Sequence, residues 1–224
     1  MTISDNIIKE CLRHVYFING TAYAGKSTMV RLLADKHGMI FCGENYHSSL
    51  AEGIATPEHQ PGHSYSRTMK DWQEFIHRTP EEYRRWTDNC TAEATEFELV
   101  QLLRLSAGGQ RIIVDTNIPP ELLHKISDYH RVAIMLSPQE MSVEYFFARA
   151  DADKQFIWQQ IQAAPDPEKT LALYRACIAA ANTPEIFVKM QNSGFFTLYR
   201  DNAETDTREE VLHTLEKHFG LADF

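Results

Sequence analysis

His14-Val-Tyr-Phe-Ile-Asn19 runs directly into Gly20-Thr21-Ala22-Tyr23-Ala24-Gly25-Lys26-Ser27-Thr28, and the reading of this stretch decides the fold. The first six residues are rich in β-branched and aromatic side chains and predict a short strand. The next eight match the spacing G-x-x-x-x-G-K-[ST] of a phosphate-binding loop. The match has its required context, because residues 27–37 place Met29, Val30, Leu32 and Leu33 toward one helical face, and Gly38 supplies a stop. Glycines let such a backbone turn tightly enough for successive N–H groups to point inward at an anion. The helix that follows presents its positive end to the same spot. Gly20, Thr21, Ala22, Tyr23, Ala24, Gly25, Lys26, Ser27 and Thr28 are therefore the expected nucleotide-binding residues. Lys26 is the cation for the β- and γ-phosphates and the Ser27 hydroxyl a ligand for Mg²⁺. Tyr23 has two readings, with its ring covering the nucleotide or packing outward.

Outward from this loop, apolar runs at 39–42, 111–115, 131–136 and 195–199 predict four more strands. The continuous run at 111–115 suits a parallel sheet covered on both faces. Helices are expected over 69–77, 81–105, 119–129, from 139 onward with breaks at 165–167 and at Thr183-Pro184, and over 208–219. Thr79-Pro80-Glu81-Glu82 is a strong start signal, with a cap, a proline at the first position and two acids. Residues 44–66 are polar and broken by Gly53, Pro57, Pro61 and Gly62. Alternating strands and helices predict an α/β fold with a mostly parallel sheet. In such sheets ligands gather at the carboxyl ends of the strands, which is where the 20–27 loop, Glu44 and Asp115 fall. Asp115 reads either as a holder of Mg²⁺ or as a cap on the turn Thr-Asn-Ile-Pro-Pro that follows it.

The 224 residues suit one domain, 43% hydrophobic and 24% charged, and a net charge of −9 disfavours a nucleic-acid surface. No stretch approaches the roughly 20 apolar residues needed to span a bilayer. The first fourteen residues carry acids and lack an apolar signal core, so a cytoplasmic location is expected. Cys11, Cys42, Cys90 and Cys177 lie far apart and read as reduced, mostly packed thiols. His47, His59 and His63 read as loop residues, since no helical pair of metal-ligand spacing occurs among them. Trp72, Phe75, Tyr83 and Trp86 have helical spacing and read as core rather than as a ring platform. Arg67, Lys70, Arg84 and Arg85 are either anion ligands or solvated helix faces.

GTAYAGKST after VYFIN, IIVDTN as a third strand, and the closing FFTLYRDNAETDTREEVLHTLEKHFGL together resemble the small P-loop kinases of the nucleoside monophosphate kinase and shikimate kinase type. The resemblance covers the order of elements along nearly all of the chain, with the P-loop as its specific part. It implies a three-layer α/β/α P-loop fold over residues 1–224 and a five-stranded parallel sheet in the order 2-3-1-4-5. It also implies a helical acceptor-binding region over 44–107, a lid at about 149–155, and a loop at 201–207 bordering the nucleobase. The implied activity is transfer of the γ-phosphoryl group of ATP, with Mg²⁺, to a small hydroxyl- or phosphate-bearing metabolite, by a monomer or homodimer with no nucleic-acid or membrane partner. Carried over by position, Lys26 and Asp115 serve catalysis, Asp115 with Ser27 at the metal. Glu44 is the general base or a solvated loop acid. Arg149, assisted by Lys154, is a phosphate clamp or a surface partner of Asp153. A nucleotide-driven switch and a nucleotide binder without catalysis are the competing readings. No N-K-x-D guanine motif supports the switch.

Overall fold

β1 (Val15–Gly20) lies at the centre of a five-stranded, all-parallel sheet. The structure, a computed structural model, describes residues 3–148, 151–202 and 204–222. Along the chain, α1 (Asp5–Cys11) precedes β1, and α2 (Lys26–His37) and β2 (Ile40–Cys42) follow it. Next come α3 (Ser48–Ile54), α4 (Tyr65–Thr68), α5 (Trp72–Ile76), the long α6 (Pro80–Ser106) and β3 (Ile112–Asp115). α7 (Pro120–Ile126) leads to β4 (Val132–Leu136). The crossover from β4 carries α8 (Gln139–Glu144), α9 (Ala152–Gln162), α10 (Pro167–Ala181) and α11 (Pro184–Gln191), and β5 (Phe196–Tyr199) and α12 (Arg208–His218) close the fold. The strand order is β2-β3-β1-β4-β5, the order implied by the resemblance.

Period-two alternation sorts the strand side chains into two cores. Val15, Phe17, Ile112, Val114, Val132, Ile134 and Leu136 face one way, toward Leu12, Leu102, Leu123 and Ile126 of the surrounding helices. Ile18, Ile113, Ala133 and Met135 face the other way, toward Met29, Val30 and Leu33 of α2 and Leu215 of α12. Both faces are thus covered, which is why the strands read as continuous apolar runs. A third core stands apart from the sheet. Phe75, Ile76 and Tyr83 pack there with Ile157, Ile161, Tyr174, Cys177 and Ile178, and Trp72 and Trp86 pack against them. The aromatic residues at 72–86 are core, as their spacing predicts.

Several local expectations are corrected. α1 and α3 form where no helix is predicted, because tertiary contacts make up for weak local pattern: Ile8 packs on the first core, and Leu50 and Ala51 pack with Phe97 of α6. The single helix expected over 69–77 begins only at Trp72. There the Asp71 side chain accepts from Glu74 N at 2.9 Å and fixes the start. Among the described residues, no helix is long and apolar enough to cross a membrane.

Candidate functional site

Strand geometry brings the predicted residues together at the carboxyl edge of the sheet. Ile18 of β1 is in register with Asp115, and Gly20 with Met135 of β4. Gly20 has φ +136°, and a Cβ there would lie 1.8 Å from the Met135 carbonyl oxygen, so only glycine lets the chain leave β1 this close to β4. Gly25, at φ +91°, turns the chain into α2. Between them the loop is pinned from the ends of β4 and β5. Thr21 N donates to Met135 O at 3.0 Å, Ser137 N donates to Thr21 Oγ1 at 2.7 Å, and Ser137 Oγ donates to Ala22 O at 2.5 Å. Arg200, just past β5, donates to Tyr23 O at 3.1 Å.

Ser27 Oγ donates to Asp115 Oδ2 at 2.6 Å, and Lys26 Nζ lies 3.9 Å from Asp115 Oδ1 while donating to Thr21 O at 3.1 Å. Asp115 is buried. A carboxylate and a hydroxyl converging at this separation form a hard oxygen donor set of the kind Mg²⁺ takes, so the residues fit the metal. The two carboxylate oxygens of Asp115 thus meet the side chains of Ser27 and Lys26 of the loop.

Three connected chambers surround this point. The middle one, about 360 Å³, is lined by Lys26, Ser27, Tyr23, Lys154, Arg200 and Glu44 among others, so three cations face one space. A second, about 380 Å³, shares Gly25, Thr28 and Arg200 with it and is walled by Glu204, Thr205, Asp206 and Thr207 of the segment before α12. A third, about 200 Å³, shares Ala22, Lys26, Glu44, Ser142 and Asn182 with the middle chamber and continues to Asn117, Gln139 and Phe187. A shallower hollow beside Ser27 holds Arg31, whose guanidinium stacks over Phe41 at 4.2 Å.

Glu44 is exposed in the turn after β2 and borders the middle chamber, the small chamber and the hollow. Tyr23 follows neither sequence reading fully. Its φ of +66° is rare for a side chain of its size, and its hydroxyl donates to the Tyr145 carbonyl, tying the loop to the segment after α8. Lys154 sits 5.9 Å from its ring. Arg149 lies outside the described residues. Arg67 is turned to Ala55 O and Ser64 Oγ, Arg84 and Arg85 make surface pairs with Asp88 and Glu81, and Lys70 is exposed, so none of these four cations lines the three chambers.

His47 and His63 lie in the turns before α3 and α4, as the sequence reading has them, and they pack inward there. His47 is 2% exposed, stacked on Phe97, and 3.4 Å from His63 between their Nε2 atoms. His63 Nδ1 meets Glu93 Oε2 at 2.9 Å, and His47 Nδ1 lies 3.9 Å from Glu98 Oε1. Glu98 is the functional-region residue that the sequence reading missed. Its carboxylate accepts from Thr116 Oγ1 and from Asn117 N and Nδ2, holding the loop that follows Asp115. Burial pushes its carboxyl up to about 7, against those hydrogen bonds and aided by the Asp115 charge. The available signal is its place on the α6 stripe of Ala94, Phe97 and Leu102, where a carboxylate interrupts an apolar face.

No model of a known family, curated protein or solved structure matches the chain.

Proposed function

We propose that the chain is an ATP-dependent phosphotransferase of the P-loop kinase type, moving the γ-phosphoryl group to a small-molecule acceptor. The carrying observation is the convergence of Lys26, Ser27 and Asp115 within one hydrogen bond and one ion pair of each other, on a loop whose backbone is pinned by β4 and β5. The middle chamber suits a triphosphate, because Lys26, Lys154 and Arg200 offset its charge from different sides. The chamber before α12 suits the nucleoside, and the small chamber beyond Lys26 suits the acceptor, so the three groups lie in the order that transfer requires. Mg²⁺ held by Ser27 and Asp115 would neutralise phosphate charge as it develops.

The chemistry asked of the protein is positioning and charge stabilisation. The acceptor hydroxyl oxygen bonds to the γ-phosphorus while the bond from that phosphorus to the β–γ bridging oxygen breaks. The bridging electrons leave with ADP, and the hydroxyl proton passes to the Glu44 carboxylate, which borders both the phosphate and acceptor chambers. Lys26 stabilises the charge on the leaving and equatorial oxygens.

The test compares wild type with Lys26→Ala in binding of a fluorescent ATP analogue and in Mg²⁺-dependent ATP consumption across a panel of acceptors. Turnover should fall by about 10²-fold or more in a variant that keeps its circular dichroism spectrum. Undiminished turnover in the folded variant would remove this assignment.

A further inference from the structure

We infer that Asn19, Thr116 and Glu98 are positioning residues, a buried relay that fixes the end of β3 against the phosphate loop and so sets how well Ser27 and Asp115 together take Mg²⁺. The inference rests on the phosphotransferase reading and names what holds its metal-binding pair in place. It comes from the side chains that take over where the sheet stops.

The pairing of β1 with β3 ends at Ile18 and Asp115, and Thr116 N adds one backbone bond beyond it, donating to Ile18 O at 3.0 Å. Past that point one chain enters the phosphate loop at Gly20 and the other continues as Thr116-Asn117-Ile118. Side chains now meet their backbone groups. Gly20 N donates to Asn19 Oδ1 at 2.5 Å, and Asn19 Nδ2 donates across to Ile118 O at 2.7 Å. These partners, a donor and an acceptor, fix the orientation of the Asn19 amide. Ile118 N donates to Thr116 Oγ1 at 3.0 Å, and the Thr116 hydroxyl donates in turn to Glu98 Oε2. Asn117 N donates to Glu98 Oε1 at 3.2 Å. The path is continuous from the first glycine of the phosphate loop, through the turn after Asp115, to Glu98 on α6.

Asn19, Thr116 and Glu98 are each at most 2% exposed, where a polar side chain costs free energy unless its partners are in place. A buried network satisfied in this way holds its members to one arrangement. Ser27 and Asp115 belong to different segments, one opening α2 and the other closing β3. Their 2.6 Å contact therefore depends on how the loop from Gly20 and the turn after Asp115 are held, and the relay joins those two. Residues that orient metal ligands without touching the ion typically change its affinity by about 10–100-fold when removed. None of the three lines the chambers around Lys26, so their effect on the nucleotide runs through Mg²⁺.

The experiment has two stages so that the two claims fail separately. Binding of the fluorescent ATP analogue is measured first on wild type and Lys26→Ala, with Mg²⁺ and in EDTA. Binding indifferent to Lys26 defeats the phosphotransferase reading and this proposal with it. Binding that needs Lys26 but ignores Mg²⁺ overturns the proposal alone. The relay is then cut in two places. Thr116→Val keeps the branched shape and removes the hydroxyl between Ile118 and Glu98, and Asn19→Leu keeps the size and removes both amide contacts. In each, the Mg²⁺ concentration that half-saturates analogue binding should rise about 10-fold, with the affinity in EDTA that of wild type. Thr116→Ser, which restores the hydroxyl, should return the Mg²⁺ curve toward wild type. The double variant Asn19→Leu/Thr116→Val should shift no further than either single one, and additive shifts would overturn the relay. Circular dichroism and the urea midpoint report the folded state, and either single variant decides the matter if the other does not fold. A lowered midpoint with an unmoved Mg²⁺ curve is the signature of a merely structural role and overturns the proposal. So does a loss of affinity in EDTA as large as that with Mg²⁺, and both outcomes leave the nucleotide site standing.

Discussion

Glu98 and His47 face one another in the interior with opposite costs of carrying charge. Burial raises the Glu98 carboxyl to about 7 from 4.5, and burial followed by the neighbouring His63 lowers His47 to about 4 from 6.5. The groups packed around them are Tyr46, whose hydroxyl donates to the Glu98 backbone carbonyl, then Cys42, Asp115 and His63. Because the folded pKa of Glu98 lies above its unfolded value, its contribution to stability is complete below about pH 4.5 and is lost as pH rises to about 7. His47 runs the other way. Its folded pKa lies below the unfolded one, so its contribution is complete above about pH 6.5 and is lost as pH falls to about 4. Each change corresponds to about 3 kcal/mol, and over the shared window they oppose one another and flatten the wild-type curve. Glu98→Gln should therefore gain stability relative to wild type as pH rises from about 4.5 to about 7, and His47→Gln should gain as pH falls through the same range. Urea unfolding at several pH values checks this. Variant curves parallel to wild type would show that neither group titrates in the interior.

At the scale of elements, α6 depends on its first turn. Its 27 residues include few that favour burial continuously, and the helix starts with a complete capping box. Glu82 N donates to Thr79 Oγ1 at 3.2 Å, and Thr79 N donates to Glu82 Oε2 at 2.8 Å. Hydrogen bonding by Thr79 also holds the exposed Glu82 carboxyl below its usual range. Thr79→Ala should lower stability by about 1 kcal/mol, read as a reduced urea midpoint at unchanged slope. Thr79→Ser should recover most of that loss, and an alanine variant equal to wild type would make the cap ornamental. This start was legible in the sequence because capping is local chemistry. So were the five strands, whose apolar runs are long enough to outweigh the turn residues around them, and the break at Thr183-Pro184 between α10 and α11. α1 and α3 were illegible for the converse reason: each is a seven-residue helix held by partners remote in sequence. The site divides in the same way. Lys26, Ser27 and the strand-end Asp115 follow from motif and topology, whereas Arg200, Asn117, Gln139 and Asn182 join the candidate site only when the β3–β4 and β4–β5 connections and the segment after β5 are folded over one edge.

For the whole molecule, the third core decides how the crossovers act on the site. α6 belongs to the connection between β2 and β3, and α9 and α10 to that between β4 and β5, so no sheet hydrogen bond joins them. They are held together by side chains alone. Tyr174, 2% exposed, packs edge-on to Tyr83 at 5.6 Å and beside Phe146 and Phe147. Ile178, one turn further along α10, belongs to this core and also lines the middle chamber beside Lys26. Truncating Tyr174 to alanine should cost about 3–5 kcal/mol, through lost burial and a cavity that the neighbouring rings fill only in part. Its effect should be uneven, because the sheet is stabilised by two other cores. Amide exchange should quicken through α5, α9 and α10 while β1, β3 and β4 keep their protection. The affinity for the ATP analogue should weaken in step, since the chamber loses the fixed position of Ile178. Uniform acceleration of exchange across sheet and helices would mean that the third core and the sheet unfold as one unit. Selective acceleration with unchanged nucleotide affinity would mean that the helical layer covers the site without shaping it.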